Sequence, residues 1–291
     1  MHQEYQYLRL IRRIIKKGFW EKDRNGRVKT LIGESMKFSL TDNTLPILTT
    51  KKLAWRVCLK ELFWFISGST NNEILQNQNV NIWNGNASRE FLDNRGLYHL
   101  KENDLGPIYG HQWRFWNAPY SKEFGCLELY NKKGIDQLEN IITDLKNKNF
   151  SRRMIMSAWN PEQINEMALP PCHILVQFNV LNNNLLTCSL YQRSGDVGLG
   201  VPFNILSYSC LTHLLAHHCD LKPYLFTHHI GNAHIYEDHI EPLKKQIKHT
   251  PLQFPKLNIL TKYDNIDDYD VKDFKITNYK HLGLNKMNMI P

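Results

Sequence analysis

Residues 174–181 read Ile-Leu-Val-Gln-Phe-Asn-Val-Leu and residues 185–192 read Leu-Leu-Thr-Cys-Ser-Leu-Tyr-Gln, with Asn182-Asn183-Asn184 between them. Both runs are rich in β-branched, aromatic and aliphatic residues, and the asparagines tolerate turn geometry, so the stretch predicts two antiparallel strands and a tight connection. Residues 203–218 follow as Phe-Asn-Ile-Leu-Ser-Tyr-Ser-Cys-Leu-Thr-His-Leu-Leu-Ala-His-His. They predict a long buried helix. Strands feeding a buried helix point to a mixed class, and the flanks agree. Tyr5–Lys17 sets Leu8, Ile11, Ile14 and Ile15 on one stripe, Leu53–Ile66 is an aromatic helix ended by Gly68, and Ile135–Lys146 is amphipathic. Further strands are expected at Lys37–Leu40 and Met154–Trp159, a polar loop at residues 21–27, mixed structure at Ile230–Tyr236, a helix over Ile235–His249 and a loosely patterned tail after Leu282. No repeat or Pro/Gly-rich linker divides the chain, so the expectation is one α+β domain over residues 1–291.

The bulk composition fits a globular protein: 291 residues, 42% hydrophobic and 22% charged. A core of that size needs no disulfide or metal to hold it. The six cysteines (58, 126, 172, 188, 210, 219) include no C-x-x-C pair, which suits a reducing compartment. The start is polar rather than signal-like, and no uninterrupted apolar run reaches membrane-spanning length. A soluble, cytoplasmic protein without membrane association is therefore expected. The formal charge of +8 favours phosphate-bearing partners. Its densest clusters, Arg12-Arg13, Lys16-Lys17 and Lys244-Lys245, read as solvated helix faces, and they lack the interleaved aromatics of a nucleic-acid stacking surface.

The chemistry concentrates around Pro170-Pro171-Cys172-His173 and Gln192-Arg193-Ser194-Gly195-Asp196. A thiolate is a strong nucleophile and two prolines stiffen its approach, although a buried structural cysteine is the plain alternative. Arg193 offers a planar fork for a phosphate and a cation beside a thiolate, or else a surface ion pair. Arg24, Arg152 and Arg153 are further phosphate candidates, with a solvated strand edge as the alternative for the adjacent pair. Gly195, Gly198 and Gly200 depart from G-x-G-x-x-G order and suit tight turns. Asn204 either caps a helix or reads a pyrimidine edge. His234 and Tyr236 share a face if extended and can reach a sugar hydroxyl. Glu61 is a carboxylate within an aromatic helix, where burial demands an explanation. The His217-His218 and His228-His229 pairs lack the carboxylate and spacing of a familiar zinc site, so no metal is expected.

Taken in order, Glu61-Leu62-Phe63-Trp64-Phe65, Gly106-Pro107-Ile108-Tyr109-Gly110, Gln112-Trp113-Arg114, Arg152-Arg153, Ala158-Trp159-Asn160, Leu169–His173, Tyr191–Ser194, Leu199–Asn204 and the pair His234/Tyr236 closely resemble the folate-dependent, cysteine-nucleophile thymidylate synthase family. The resemblance covers almost the whole chain. It implies a large twisted mixed sheet surrounded by helices, and a homodimer joined sheet to sheet. It implies deoxyuridine monophosphate (dUMP) and 5,10-methylenetetrahydrofolate as substrates. Cys172 would attack carbon 6 of the pyrimidine, and Asn204 would orient its edge. Arg24 and Arg193, with Arg152 and Arg153 from the other subunit, would bind the phosphate. Gln192 and Ser194 would support the nucleotide pocket, and His234 and Tyr236 would take the 3′-hydroxyl. Glu61 would move protons through water, with Tyr109 and His173 ordering the network near carbon 5. Ile82, Trp83, Asn86, Leu199, Gly200 and Phe203 would line the folate site, Asp196 would bind the pterin, and Met289 and Ile290 would close over it.

The chain departs from the family pattern at several positions. The phosphate loop reads Asp23-Arg24-Asn25-Gly26-Arg27-Val28-Lys29, Ser151 and Asn232 replace aspartates, Leu282 replaces a frequent proline, and Pro291 follows the usual apolar terminal residue. Two rival readings share some of these features: a pyrimidine hydroxymethyltransferase, in which water captures the methylene, and an RNA-binding regulator using the basic surface.

Overall fold

The computed structural model describes residues 1–23, 26–120 and 134–288. Six strands form one sheet: β1 (Phe19–Asp23), β2 (Gly26–Ser39), β3 (Ile155–Ser157), β4 (His173–Leu181), β5 (Leu185–Asp196) and β6 (Lys222–Tyr236). They lie in the order β1-β2-β6-β5-β4-β3. Only β5 and β6 run parallel; the other neighbours are antiparallel. A parallel pair needs a crossover, which here is the 19-residue helix Gly200–His218. A small second sheet pairs β7 (Lys256–Ile259) with β8 (Phe274–Thr277). The main helices are α1 (Tyr5–Lys17), α2 (Trp55–Ile66), α3 (Tyr109–Phe115), α4 (Gln137–Lys146), α5 (Gly200–His218) and α6 (Ile240–Gln246). The mixed, helix-flanked sheet agrees with the expected fold class.

Strand alternation sends Met36, Phe38, Met156, Val176, Phe178, Cys188, Leu190 and Phe226 into the core, against the almost wholly buried α5. The opposite face is covered at Thr187 and Thr227 but carries an exposed row. Ser157, Leu175, Tyr191, His229 and Ser35 stand in one row across five strands, and all but the half-buried Ser157 are exposed. The hairpin Ile174–Gln192 forms as expected, with Asn182 and Asn183 at φ of 48° and 59°. Among the described residues, no helix is long and apolar enough to cross a membrane.

Three expectations need correcting. The polar segment 21–27, expected as a loop, belongs to a β1–β2 hairpin in which Asp23 pairs with Gly26; residues 24 and 25 lie outside the described set. All of β1 is exposed, so it carries no alternating signal. The mixed reading of 230–236 gives way to the 15-residue β6, whose His, Gly and Asn disguise a central strand. The following helix starts at Ile240, not at 235, because Tyr236 is still paired with Val28 in the sheet.

A buried carboxylate fixes the N-terminal helix to the body. Glu4 is fully buried and accepts from Thr49 N (3.0 Å), Thr49 Oγ1 (2.6 Å), Thr50 N (2.9 Å) and Thr50 Oγ1 (2.6 Å). Glu4→Gln puts amide protons where only acceptors fit. It is expected to lower the unfolding free energy by about 2 kcal/mol or more, read as a urea midpoint at fixed protein concentration; an unchanged midpoint would refute this account of the clamp.

Candidate active site

Cys172 directly precedes β4, and its carbonyl accepts the backbone N–H of Arg193 at 2.8 Å. The Arg193 side chain then folds back along the same segment. Its Nε donates to Pro171 O (2.7 Å), and its Nη2 donates to Pro170 O (2.9 Å) and reaches Cys172 Sγ at 3.9 Å. The guanidinium lies 5.6 Å from the Trp159 ring centroid. The two prolines therefore supply acceptors as well as stiffness, and they aim a permanent cation at the sulfur. A cation there favours thiolate.

The other described cysteines have no such setting. Cys58, Cys188, Cys210 and Cys219 are buried, whereas Cys172 is half-exposed. Burial pushes the thiols of Cys188 and Cys219 up to about 12 and raises those of Cys58 and Cys210 well above the ordinary range. Cys172 thus differs from the other described cysteines in its exposure and its neighbouring cation. Among the described residues, Arg193 forms no ion pair.

An aromatic wall joins the thiol to the acid. Tyr109, on α3, accepts the Cys172 backbone N–H at 2.7 Å through its hydroxyl, and its ring stacks on His173 with centroids 4.1 Å apart. His173 Nδ1 meets Tyr208 Oη at 2.7 Å, and burial drives the imidazole down to about 3, so it is neutral at physiological pH. Trp83 lies edge-on to Tyr109 at 6.1 Å and donates its indole N–H to Glu61 Oε1 at 2.8 Å. Glu61 keeps some solvent contact, but dense packing desolvates its carboxyl and raises it to about 7 despite the Trp83 bond. It can therefore hold or release a proton near neutrality.

The nucleotide-side candidates gather at the β5–β6 junction. Ser194 pairs with Asn232 and Asp196 with His234. His234 Nδ1 lies 3.3 Å from Asn232 Oδ1, and Tyr236 Oη donates to Asp23 Oδ2 at 3.3 Å. Gln192 is buried, bridging His228 (2.8 Å) and Ser194 O (2.8 Å), so it braces the strand with both ends of its amide engaged. Asn204 sits one turn inside α5, not at the cap. No side chain caps α5; Asp196 instead closes the turn before it, accepting from Gly198 N (2.8 Å) and Leu199 N (3.3 Å).

Gly200, Leu199 and Phe203 share this end of α5, and the latter two are half-buried. On the other side, Ile82 is half-buried, and Asn86 is buried with its Nδ2 unpartnered. An orphaned buried donor fits a site for a polar heterocycle. Arg152 and Arg153 are exposed just before β3, and neither forms an ion pair among the described residues. Arg24, Met289 and Ile290 lie outside the described residues.

Sequence reasoning missed Tyr208, which fixes His173, and His228, which fixes Gln192. It also missed Lys51, buried with Nζ on Gly198 O and lowered to about 8 by desolvation, and the buried His239. Tyr208 lies in a largely apolar run, where a polar residue is a signal; Lys51, His228 and His239 lie in polar stretches and carry none. Among the described residues, no cluster of three or more His, Cys, Asp or Glu could hold a metal ion.

The profile of the family described as thymidylate synthase matches residues 5–291. The chain is 49% identical over 289 residues to the bifunctional dihydrofolate reductase-thymidylate synthase of Plasmodium chabaudi, covering 99% of this chain and 49% of that protein. It is 49% identical over 279 residues to the bifunctional protein of Zea mays, covering 96% and 53% respectively. It is 48% identical over 289 residues to Homo sapiens thymidylate synthase, covering 99% of this chain and 91% of that one. The chain thus spans about half the length of these bifunctional relatives and nearly all of the human one. With that identity sustained across almost every residue, the chain belongs to the thymidylate synthase family.

Proposed function

We propose that this chain converts dUMP to thymidine monophosphate with 5,10-methylenetetrahydrofolate, releasing dihydrofolate. The observation that carries the reading is the half-exposed Cys172 thiol with Arg193 Nη2 at 3.9 Å, set on the aromatic wall that leads to Glu61.

The Cys172 thiolate attacks carbon 6 of the uracil, a new C–S bond forms, and the displaced electron pair moves to carbon 5 and the carbon-4 oxygen. Glu61, raised to about 7, supplies a proton to that oxygen through water and recovers it later. Asn204 holds the pyrimidine edge from the first turn of α5. The neutral His173 and the Tyr109 hydroxyl order water near carbon 5, where a proton leaves once carbon 5 is bonded to the one-carbon unit. With that proton gone, the bond between the methylene and the folate nitrogen breaks, and the exocyclic methylene so formed takes a hydride from the tetrahydrofolate, leaving dihydrofolate. Loss of the C–S bond returns the thiolate.

Arg193 keeps Nη1 for the phosphate, joined by Ser194 and Arg24, while His234 and Tyr236 take the 3′-hydroxyl. Ile82, Trp83, Asn86, Leu199, Gly200 and Phe203 receive the folate, with Asp196 on its pterin. The sheet face opposite α5, with Ile155, Leu175 and Tyr191 exposed, supports a homodimer joined through that face. Arg152 and Arg153, exposed just before β3, would then complete the partner subunit's phosphate site. Absorbance of dihydrofolate formed from both substrates, with mass analysis of the nucleotide, tests the whole reading; a hydroxymethylated nucleotide without dihydrofolate would overturn it.

Cys172→Ala is expected to abolish turnover while dUMP binding, read by calorimetry, stays within about threefold. Glu61→Gln should lower kcat by roughly 10² to 10⁴ and remove the fall in rate as pH climbs through about 7, where Glu61 loses its proton. The same shift has a stability sign. The folded state holds this proton more tightly than the unfolded one, so unfolding free energy declines as pH rises from 4.5 towards about 7. Glu61→Gln should flatten that decline in urea titrations. An Arg152→Ala/Arg153→Ala double variant and Cys172→Ala should each be inactive alone. Mixed and allowed to exchange subunits, they should recover activity, because one site of the heterodimer then has an intact thiol and both arginines; continued inactivity would rule out shared sites.

A further inference from the structure

Several buried groups converge on the short turn 196–199 from distant parts of the chain, and the proposed reaction leaves them unused. Tyr7 donates to Val197 O at 2.8 Å, and Lys51 Nζ donates to Gly198 O. His239, only 1% exposed, lies between the turn and the C-terminal segment. Its Nε2 is 2.8 Å from Asn288 O, and its Nδ1 is 3.7 Å from Asp196 Oδ1. A Cβ on Gly198 would come within 2.8 Å of His239 Nδ1 and 3.3 Å of Met287 Sδ, so imidazole, turn and segment are packed in direct contact.

The segment 282–288 is tied down along its length. Leu282 N donates to Thr49 O (2.9 Å), Lys52 N to Gly283 O (2.7 Å), and Asn285 Nδ2 to Pro242 O (3.2 Å) and Gln246 Oε1 (3.1 Å). His239 is the contact by which its far end meets a group assigned to the folate.

Hydrogen-bond polarity decides the form of the imidazole. Asn288 O is a carbonyl and only accepts, so Nε2 carries a proton. The other nitrogen then faces a carboxylate. As a lone pair it repels Asp196; as N–H⁺ it attracts it. We propose that His239, as an imidazolium, is a positioning residue that couples the C-terminal segment to the orientation of Asp196 and so sets affinity for the reduced folate. This rests on the reading of Asp196 as the pterin-binding residue.

The surrounding charges agree. Burial lowers the imidazole, but Asp196 and the Asn288 carbonyl outweigh burial and the opposing Lys51, and the net shift is upward from 6.5. Tyr236 packs edge-on at 5.7 Å, Tyr7 is held neutral with its own ionisation raised, and the Arg27–Glu237 pair nearby is exposed. Lys286 is the charged side chain of the segment next to the contact. A raised histidine gives its stabilisation below its folded pKa and loses it as pH rises through that value.

The test compares wild type, His239→Gln and Asp196→Asn, measuring KM for 5,10-methylenetetrahydrofolate at saturating dUMP from about pH 6 to about pH 8.5. In the wild type, KM should rise with pH. In His239→Gln it should be about threefold to tenfold higher at the acid end and flat with pH, with kcat and dUMP affinity unchanged. A wild-type KM and pH slope in His239→Gln would overturn the coupling, and more plainly so if Asp196→Asn alone raised KM. An unchanged KM in Asp196→Asn would instead remove the pterin assignment beneath it. Imidazole NMR titration needs neither turnover nor a folded His239 variant. His239 should titrate above 6.5 in the wild type and lower in Asp196→Asn; equal values in both proteins would overturn the proposal.

Discussion

The bond from Arg193 N to Cys172 O, closed by the Arg193 side chain on the carbonyls of Pro170 and Pro171, sets the geometry on which the site depends. Without it, thiol and cation would sit on neighbouring strands with independent side-chain freedom. With it, the guanidinium spends its rotamer entropy during folding rather than on meeting a ligand. Proline carbonyls suit this task, because they accept without bringing an N–H that needs its own partner.

Burial then tunes the remaining groups in opposite senses. Desolvation disfavours charge of either sign, so the same dense packing raises the Glu61 carboxyl and lowers the His173 imidazole. The first becomes a proton carrier near neutrality, and the second a neutral hydrogen-bonding element stacked on Tyr109. One apolar wall therefore carries an acid at one end and a non-acid at the other, joined through Trp83 and Tyr109. The indole N–H of Trp83 offsets part of the Glu61 shift and holds that carboxyl at the wall.

Legibility from sequence followed local periodicity. The Asn182–Asn184 hairpin and the all-round apolar α5 were readable because neighbours in sequence carry the signal. β1 and β6 were not, since one is exposed on both faces and the other takes its strand character from partners far away in the chain. Cys172, Glu61 and Asn204 stood out through residue chemistry and motif order. Tyr208, His228, Lys51 and His239 acquire meaning only from what they touch, and a polar residue does not announce a partner far away in the chain. Gln192, expected to support the nucleotide pocket, also bonds within the protein at both ends of its amide, which its place in a polar motif did not foretell.

The position of β6 also shapes how the molecule comes into being. It lies between β2 and β5, pairing Tyr236 with Val28 on one side and His234 with Asp196 on the other. Until it emerges during synthesis, the β1–β2 ribbon and the β3–β4–β5 group are separate sheets, each with an open edge and no way to join. Contacts so distant in sequence make for slow closure and a period of vulnerability to edge-to-edge association. The residues of the β5–β6 junction reach one another only when that central strand slots home, so the candidate site is assembled late and all at once.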